Sequence, residues 1–105
     1  MRNTKQEVIR DKVFAYVVHS FCNRQHLLVF RHIDFPEAGI QVPGGTVEPG
    51  ETLQAAALRE AIEESALNDL ILVGKIGTVK KDMRPFGLDE VHYRHYFHFA
   101  LDSEP

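Results

Sequence analysis

Residues Gly45 to Leu67 read GTVEPGETLQAAALREAIEESAL, and four glutamates of this stretch, Glu51, Glu60, Glu63 and Glu64, stand with Arg59 at set spacings across a turn and the segment behind it. Around the turn, Pro43 to Glu51 holds three glycines and two prolines in nine residues. That composition makes a tight loop with several positions open to positive φ. Thr52 can cap a helix beginning at Leu53, because its hydroxyl accepts from the free amides of a first helical turn. Leu53 to Ser65 contains strong helix formers and neither Gly nor Pro, so a helix of roughly 14 residues is expected.

On such a helix Glu60, Glu63 and Glu64 are related by i, i+3 and i+4 and fall within an arc of about 100°. Leu53, Ala56, Ala57 and Leu67 lie in or beside that arc, while Ala55, Leu58 and Ile62 form an apolar strip opposite. A helix apolar on two sides, with three acids on one of them, is not an ordinary solvated helix. Like charges one turn apart repel, and more so when partly desolvated. A divalent cation offsets that repulsion directly, and hard carboxylate oxygens select Mg2+ or Mn2+ over softer metals. Arg59, eight residues after Glu51, is placed for an ion pair that ties the loop to the helix. A Glu-rich stretch alone is more often a surface helix with an acidic stripe; the loop-to-helix spacing is what favours the metal.

The spacing resembles the Nudix box, GX5EX7REUXEEXGU with U a bulky aliphatic residue. Gly45, Glu51, Arg59, Glu60, Glu63, Glu64 and Leu67 match it in register, and Gln41-Val-Pro-Gly-Gly45 looks like the family's usual approach to the loop. Two positions depart: Ala61 where a larger aliphatic is usual, and Ala66 where the pattern has glycine. That glycine ordinarily ends the helix in a left-handed conformation, which costs alanine about 1 kcal/mol. The helix is therefore expected to run on and terminate at Asn68, which tolerates that region better.

The resemblance, which covers residues from about 8 to 101, implies metal-dependent hydrolysis of a diphosphate linked to another group, usually in a nucleoside diphosphate derivative. By position, Glu60 and Glu64 are the principal metal ligands, Glu63 a further or water-mediated one, and the Gly44 carbonyl an additional ligand. Glu51 pairs with Arg59 as structural support. The general base comes either from a box glutamate or from a downstream acid, for which Glu90 is the candidate. Arg31, Arg84 and Arg94 are candidate phosphate contacts. A noncatalytic Nudix-like module that binds a nucleotide or a protein is the competing class; the retained glutamates weigh against it. Subclass signatures do not settle the substrate, since Asp82 stands sixteen residues past Ala66, where neither the proline nor the tyrosine of two known subclasses appears.

The remainder of the chain fits a single small α+β domain. Its 105 residues are 44% hydrophobic and 26% charged, an ordinary balance. No 18-residue apolar run and no signal-like start is present, and the single Cys22 cannot form an internal disulfide. A cytoplasmic location is the resulting expectation. The net charge of −3 argues against binding a nucleic acid polymer through a basic surface, although Lys80, Lys81 and Arg84 form a local cluster. Val13 to Val18 and Leu27 to Phe30 suggest a hairpin turning at Cys22 to Arg24, followed by a loop, Asp34 to Gly39, around Pro36. Leu70 to Val79 reads as a strand bulged at Gly74 or Gly77, Lys80 to Asp89 as a loop, and Val91 to Leu101 as a final alternating strand.

A mixed sheet with the acidic helix packed on it is the expected architecture, sharpened by the resemblance to an α/β/α sandwich. Against that family the chain looks short, lacking a last strand and helix. One sheet face is then expected to be bare, which would favour self-association as a homodimer. Two histidine groupings carry little weight as metal sites. His19, Cys22 and His26 lack the paired spacing of structural zinc, and alternation puts His95 on the opposite strand face from His92 and His98.

Overall fold

The computed structural model describes residues 8–31, 34, 37 and 39–101. Seven strands and one α-helix are present among them: β1 (Val8–Phe21), β2 (Arg24–Leu27), β3 (Phe30–Arg31), β4 (Ile40–Gln41), β5 (Gly44–Thr46), α1 (Leu53–Ser65), β6 (Leu70–Asp82) and β7 (Glu90–Leu101). The main sheet runs β2-β1-β7-β6, with β5 also on β1. It is mixed as expected, because β1 and β7 pair in parallel while every other described ladder is antiparallel.

Val13, Ala15 and Val17 of β1 and Phe97 and Phe99 of β7 alternate onto one sheet face and are buried. Against them lie Ala56, Ala57 and Ala61 of the helix, each fully buried. The helix thus presents methyl groups rather than long side chains to the sheet, so its axis can sit close. This accounts for Ala61, where a bulkier aliphatic would overpack the contact. It also corrects the expectation of two buried sides. The buried alanines share the arc of Glu60 and Glu64, whereas Ala55 on the far side is exposed and Leu58 and Ile62 are only partly covered.

The hairpin turns at Cys22 and Asn23, both at positive φ (52° and 62°), the backbone that a two-residue turn matched to strand twist requires. The second arm is shorter than expected. After Leu28, whose amide still donates to the Val17 carbonyl, Phe30 and Arg31 leave to pair with Gln41 and Ile40. The vacated edge of β1 is taken by β5, with Gly44 opposite Phe14 and Gly45 opposite Val13. Most of the expected Pro36 loop lies outside the described residues. In β6 both suspected glycines mark irregularities, with register shifts at Leu72/Gly74 and at Lys75/Gly77. The strand runs on to Asp82, and a 3-10 turn, Arg84–Phe86, replaces part of the expected loop.

On the sheet face away from the helix, Tyr16, Val18, Gln25, Leu27, Ile76 and His98 surround an open cleft of about 540 Å³. Ile71, Leu72, Val73, Ile76 and Val79 of β6 are exposed. No helix among the described residues is long and apolar enough to cross a membrane.

The helix does not extend to Asn68. It stops at Ser65, and Ala66 itself sits at φ 61°, ψ 18°, in the left-handed region, with its amide on the Ile62 carbonyl at 2.7 Å. Ser65 explains the early end: its hydroxyl donates to the Ala61 carbonyl (2.5 Å) and accepts from the Leu67 amide (3.1 Å). These bonds satisfy groups that another helical turn would otherwise have to pair. Ala66→Gly removes the Cβ penalty of that conformation and is expected to stabilise the fold by about 1 kcal/mol, or roughly 4–8 °C in Tm. A calorimetric melt checks it; an unchanged or lowered Tm would mean that Ala66 bears no such strain.

Candidate active site

The site is assembled by the turn between β5 and α1. Thr52 caps the helix as its sequence suggests, in extended backbone (φ −77°, ψ 162°), with its hydroxyl accepting from the Ala55 amide at 3.1 Å. Ahead of it, Glu51 folds back onto the amide of Glu48 (2.9 Å), and Gly50 takes the positive φ of 85° that closes the turn.

Arg59 then binds loop to helix. Its Nε donates to Glu51 Oε2 at 2.7 Å and its Nη2 to Glu51 Oε1 at 2.9 Å, a two-pronged grip on one carboxylate. Nη2 also reaches the Thr46 carbonyl at 3.1 Å. On the other side Nη1 donates to Glu60 at 2.8 Å and Glu63 at 3.3 Å. One guanidinium therefore faces three box glutamates. Glu51 is held below the usual carboxylate range chiefly by the Arg59 hydrogen bonds, then by the Glu48 amide, and Arg59 is pushed up in turn.

The two glycines opposite β1 are fixed by close approach rather than by φ. A Cβ on Gly45 would collide with the Glu60 carboxylate, and one on Gly44 would stand 2.8 Å from the Val13 carbonyl and 2.6 Å from the Phe14 ring. Glu60 thus lies in a hollow that any larger residue at 45 would fill; its side chain is only 13% exposed. Glu64 reaches the Gly44 amide at 3.4 Å. From there the surface opens into a cleft of about 530 Å³ whose wall includes Phe14, Tyr16, Phe30, Arg94 and Tyr96, with Glu64 and Gly44 at its rim.

The expected residues thus divide into two groups. Glu51, Arg59, Glu60, Glu63, Glu64 and Gly44 come together, and Arg94 joins them in the cleft wall. Arg31 follows the cleft residue Phe30 in β3 and is exposed. Arg84 is elsewhere, beyond the end of β6, gripping Asp82 at 2.7–3.1 Å; Lys81 lies over the Phe86 ring there. Glu90 is also remote. It pairs with Val8 while Gly45 pairs with Val13, five residues along β1, about 17 Å at the rise of a strand. There it bonds His92 (2.8 Å) and Arg10 (3.1 Å).

Sequence reading missed the aromatic wall. The alternation of Val91 to Leu101 is legible in the sequence, but the parallel register that sets Phe14 beside Tyr96 is not. It also left unpaired the buried His95, which bonds Asp11 at 3.0 Å through Nε2 and contacts Lys75 and Thr78 at 3.2 Å through Nδ1. No group of three His, Cys, Asp or Glu side chains is drawn together tightly enough to hold an ion among the described residues, the box glutamates and both histidine groupings included; Arg59 Nη1 stands between Glu60 and Glu63.

Asp82, Glu90 and Glu51 have clearly lowered pKa values. Asp82 falls to about 2 through hydrogen bonds from the Arg84 side chain and amide. Glu90 is lowered by the His92 hydrogen bond and then by Arg10, and Glu51 as above. A group more acidic folded than unfolded stabilises the fold above its unfolded pKa and loses that contribution as pH falls through the folded value. Tm is therefore expected to hold from pH 7 to about 5 and to fall progressively from about 4.5 towards 2. Melts across that range check it, and a Tm that rises on acidification would contradict the assignment.

The NUDIX domain family model matches residues 12–105. A putative 8-oxo-dGTP diphosphatase of Bacillus subtilis (strain 168) is 40% identical over 68 residues, covering 65% of this chain and 42% of that protein, so the chain spans less than half of that relative's length. Among solved structures, the C. elegans Ap4A hydrolase superposes with a TM-score of 0.71 at 18% identity, over 90% of this chain and 69% of that one. The NUDIX domain of Shewanella oneidensis NrtR complexed with ADP ribose gives 0.64 at 16% identity, over 96% and 64%. These structural likenesses speak for the fold; the family match extends from β1 through the loop, the acidic helix and the last strand, and the chain belongs to the NUDIX domain family.

Proposed function

We propose that this protein hydrolyses the diphosphate linkage of a nucleoside diphosphate derivative or a related small molecule, using Mg2+ or Mn2+ held on Glu60, Glu63, Glu64 and the Gly44 carbonyl. The observation that carries the reading is the hollow at Gly45, where a missing Cβ leaves the Glu60 carboxylate lodged against β5, one turn from Glu64 at the rim of an aromatic cleft. An all-oxygen donor set of this kind fits a hard divalent ion. When bound, the cation supplies neutralisation of diphosphate charge and acidification of a coordinated water.

The chain's own residues supply the placement. Arg59 and Glu51 hold the loop so that Gly44 faces the helix, and Arg59 Nη1 orients Glu60 and Glu63. The cleft wall receives the rest of the substrate and excludes water. A base drawn from the box glutamates suits this layout better than Glu90, which the strand register sets far along β1. The names of the two relatives that mention 8-oxo-dGTP and Ap4A support a nucleotide substrate.

A noncatalytic ligand-binding role is the second reading, favoured by the engagement of Glu60 and Glu63 with Arg59. A panel of nucleoside diphosphate derivatives assayed with Mg2+, Mn2+ and excess chelator separates the two. Turnover is expected with metal, with at least about a 100-fold loss on chelation. Binding without turnover across the panel would overturn the hydrolase reading.

A further inference from the structure

The cleft wall is an ordered stack rather than a general apolar surface. Tyr16 and Tyr96 have ring centroids 5.7 Å apart at 21°, Tyr96 and Phe14 5.1 Å apart at 18°. The ladder ends on Arg94, whose guanidinium carbon lies 5.6 Å from the Phe14 centroid. The parallel register produces this arrangement by placing Phe14 opposite Tyr96 and Lys12 opposite Arg94 on neighbouring rungs of the same face. Lys12 is already occupied, donating to the Thr46 hydroxyl at 2.5 Å. Arg94 Nε is different: it is a buried donor with no acceptor among the described residues, a condition that costs free energy.

A guanidinium carries donors only, in a planar fork. Held over the Phe14 ring at the end of the aromatic ladder, it can bond a ring edge only where that edge offers acceptors. Among purines, the 6-oxo, 7-nitrogen edge offers two, whereas a 6-amino purine sets a donor against the arginine. We infer that the cleft takes the base of the substrate as a ring packed on the Phe14, Tyr16 and Tyr96 ladder, and that Arg94 selects 6-oxo over 6-amino purines. The inference rests on the reading of this cleft as the substrate's seat and adds a specificity-determining residue to it.

The test measures binding of GMP, IMP, AMP and inorganic phosphate by calorimetry without metal. None of these ligands has a diphosphate bond, so a failure of the hydrolase reading leaves the result interpretable. GMP and IMP, which share the edge, are expected to bind about 10-fold more tightly than AMP. Arg94→Lys and Arg94→Met should both bring that ratio to within about twofold, while their melts report whether the fold is kept. Tyr16→Leu, at the end of the ladder away from Arg94, should weaken all three nucleotides alike and leave the ratio standing. Equal binding of GMP and AMP by the unaltered protein would overturn the inference, as would a ratio that survives both Arg94 variants. So would an Arg94→Lys variant that keeps GMP affinity while Arg94→Met weakens nucleotides and inorganic phosphate equally, since Arg94 would then be a phosphate contact.

Discussion

Glu64→Gln is expected to lower metal-dependent turnover by at least about 100-fold, equivalent to about 2.7 kcal/mol in the barrier, while leaving the melting temperature within a degree or two. The asymmetry follows from where Glu64 sits. It is an exposed residue that lines the cleft, so replacing one carboxylate oxygen by a near-isosteric amide disturbs little packing. The same change removes a negative charge and one carboxylate oxygen donor from the residue that would hold the proposed cation. Glu63→Gln should be milder, because the Glu63 side chain is 58% exposed and lies at a long 3.3 Å from Arg59. Glu60→Gln should combine a turnover loss like that of Glu64→Gln with a lowered Tm, since Glu60 lies in the Gly45 hollow and on Arg59 at once. Initial rates under saturating metal, paired with melts of each variant, read out the order. Equal turnover by Glu64→Gln and the unaltered protein would remove Glu64 from the site.

Much of this arrangement was legible in the amino-acid string, for a physical reason. A cap, a helix period and a close-approach glycine are local requirements, and local requirements leave local marks. Thr52 as cap, Glu51 with Arg59, and the acids at i, i+3 and i+4 all follow from spacing along one segment. The helix end was misjudged because Ser65, not the residue at 66, decides it: a hydroxyl bridging Ala61 and Leu67 was a competing local bond that outweighed the alanine penalty. The cleft was not legible because it depends on long-range register. Nothing in the string Val13 to Val18 says that it will lie parallel to Val91 to Leu101, and only that pairing puts Phe14, Tyr96 and Arg94 in one stack. Glu90 illustrates the same limit. It is an acid at a plausible distance in sequence, but the rung it occupies is set by β1 and β7 and lies beside Arg10 and His92.

Arg59→Met is expected to be the most destabilising single change in the loop-helix unit, lowering Tm by about 10 °C at pH 7. Methionine keeps much of the aliphatic stem, so the loss isolates the guanidinium. That group holds Glu51 with two hydrogen bonds, Glu60 and Glu63 with one each, and the Thr46 carbonyl with another. Without it, three carboxylates face one another around a partly buried space, and the turn from Thr46 to Glu51 loses its tie to the helix. The pH dependence distinguishes loss of the charge from simple loss of packing. In the unaltered protein Glu51 is lowered mainly by Arg59, so it stabilises the fold above its unfolded pKa and ceases to do so as pH falls through the folded value. In Arg59→Met the sign reverses, because mutual repulsion favours protonation in the folded state; the variant should gain stability relative to the unaltered protein as pH drops from 6 to about 4. The Tm difference should therefore shrink over that interval. A Tm gap constant across pH would show that Arg59 acts through its stem and not through its charge.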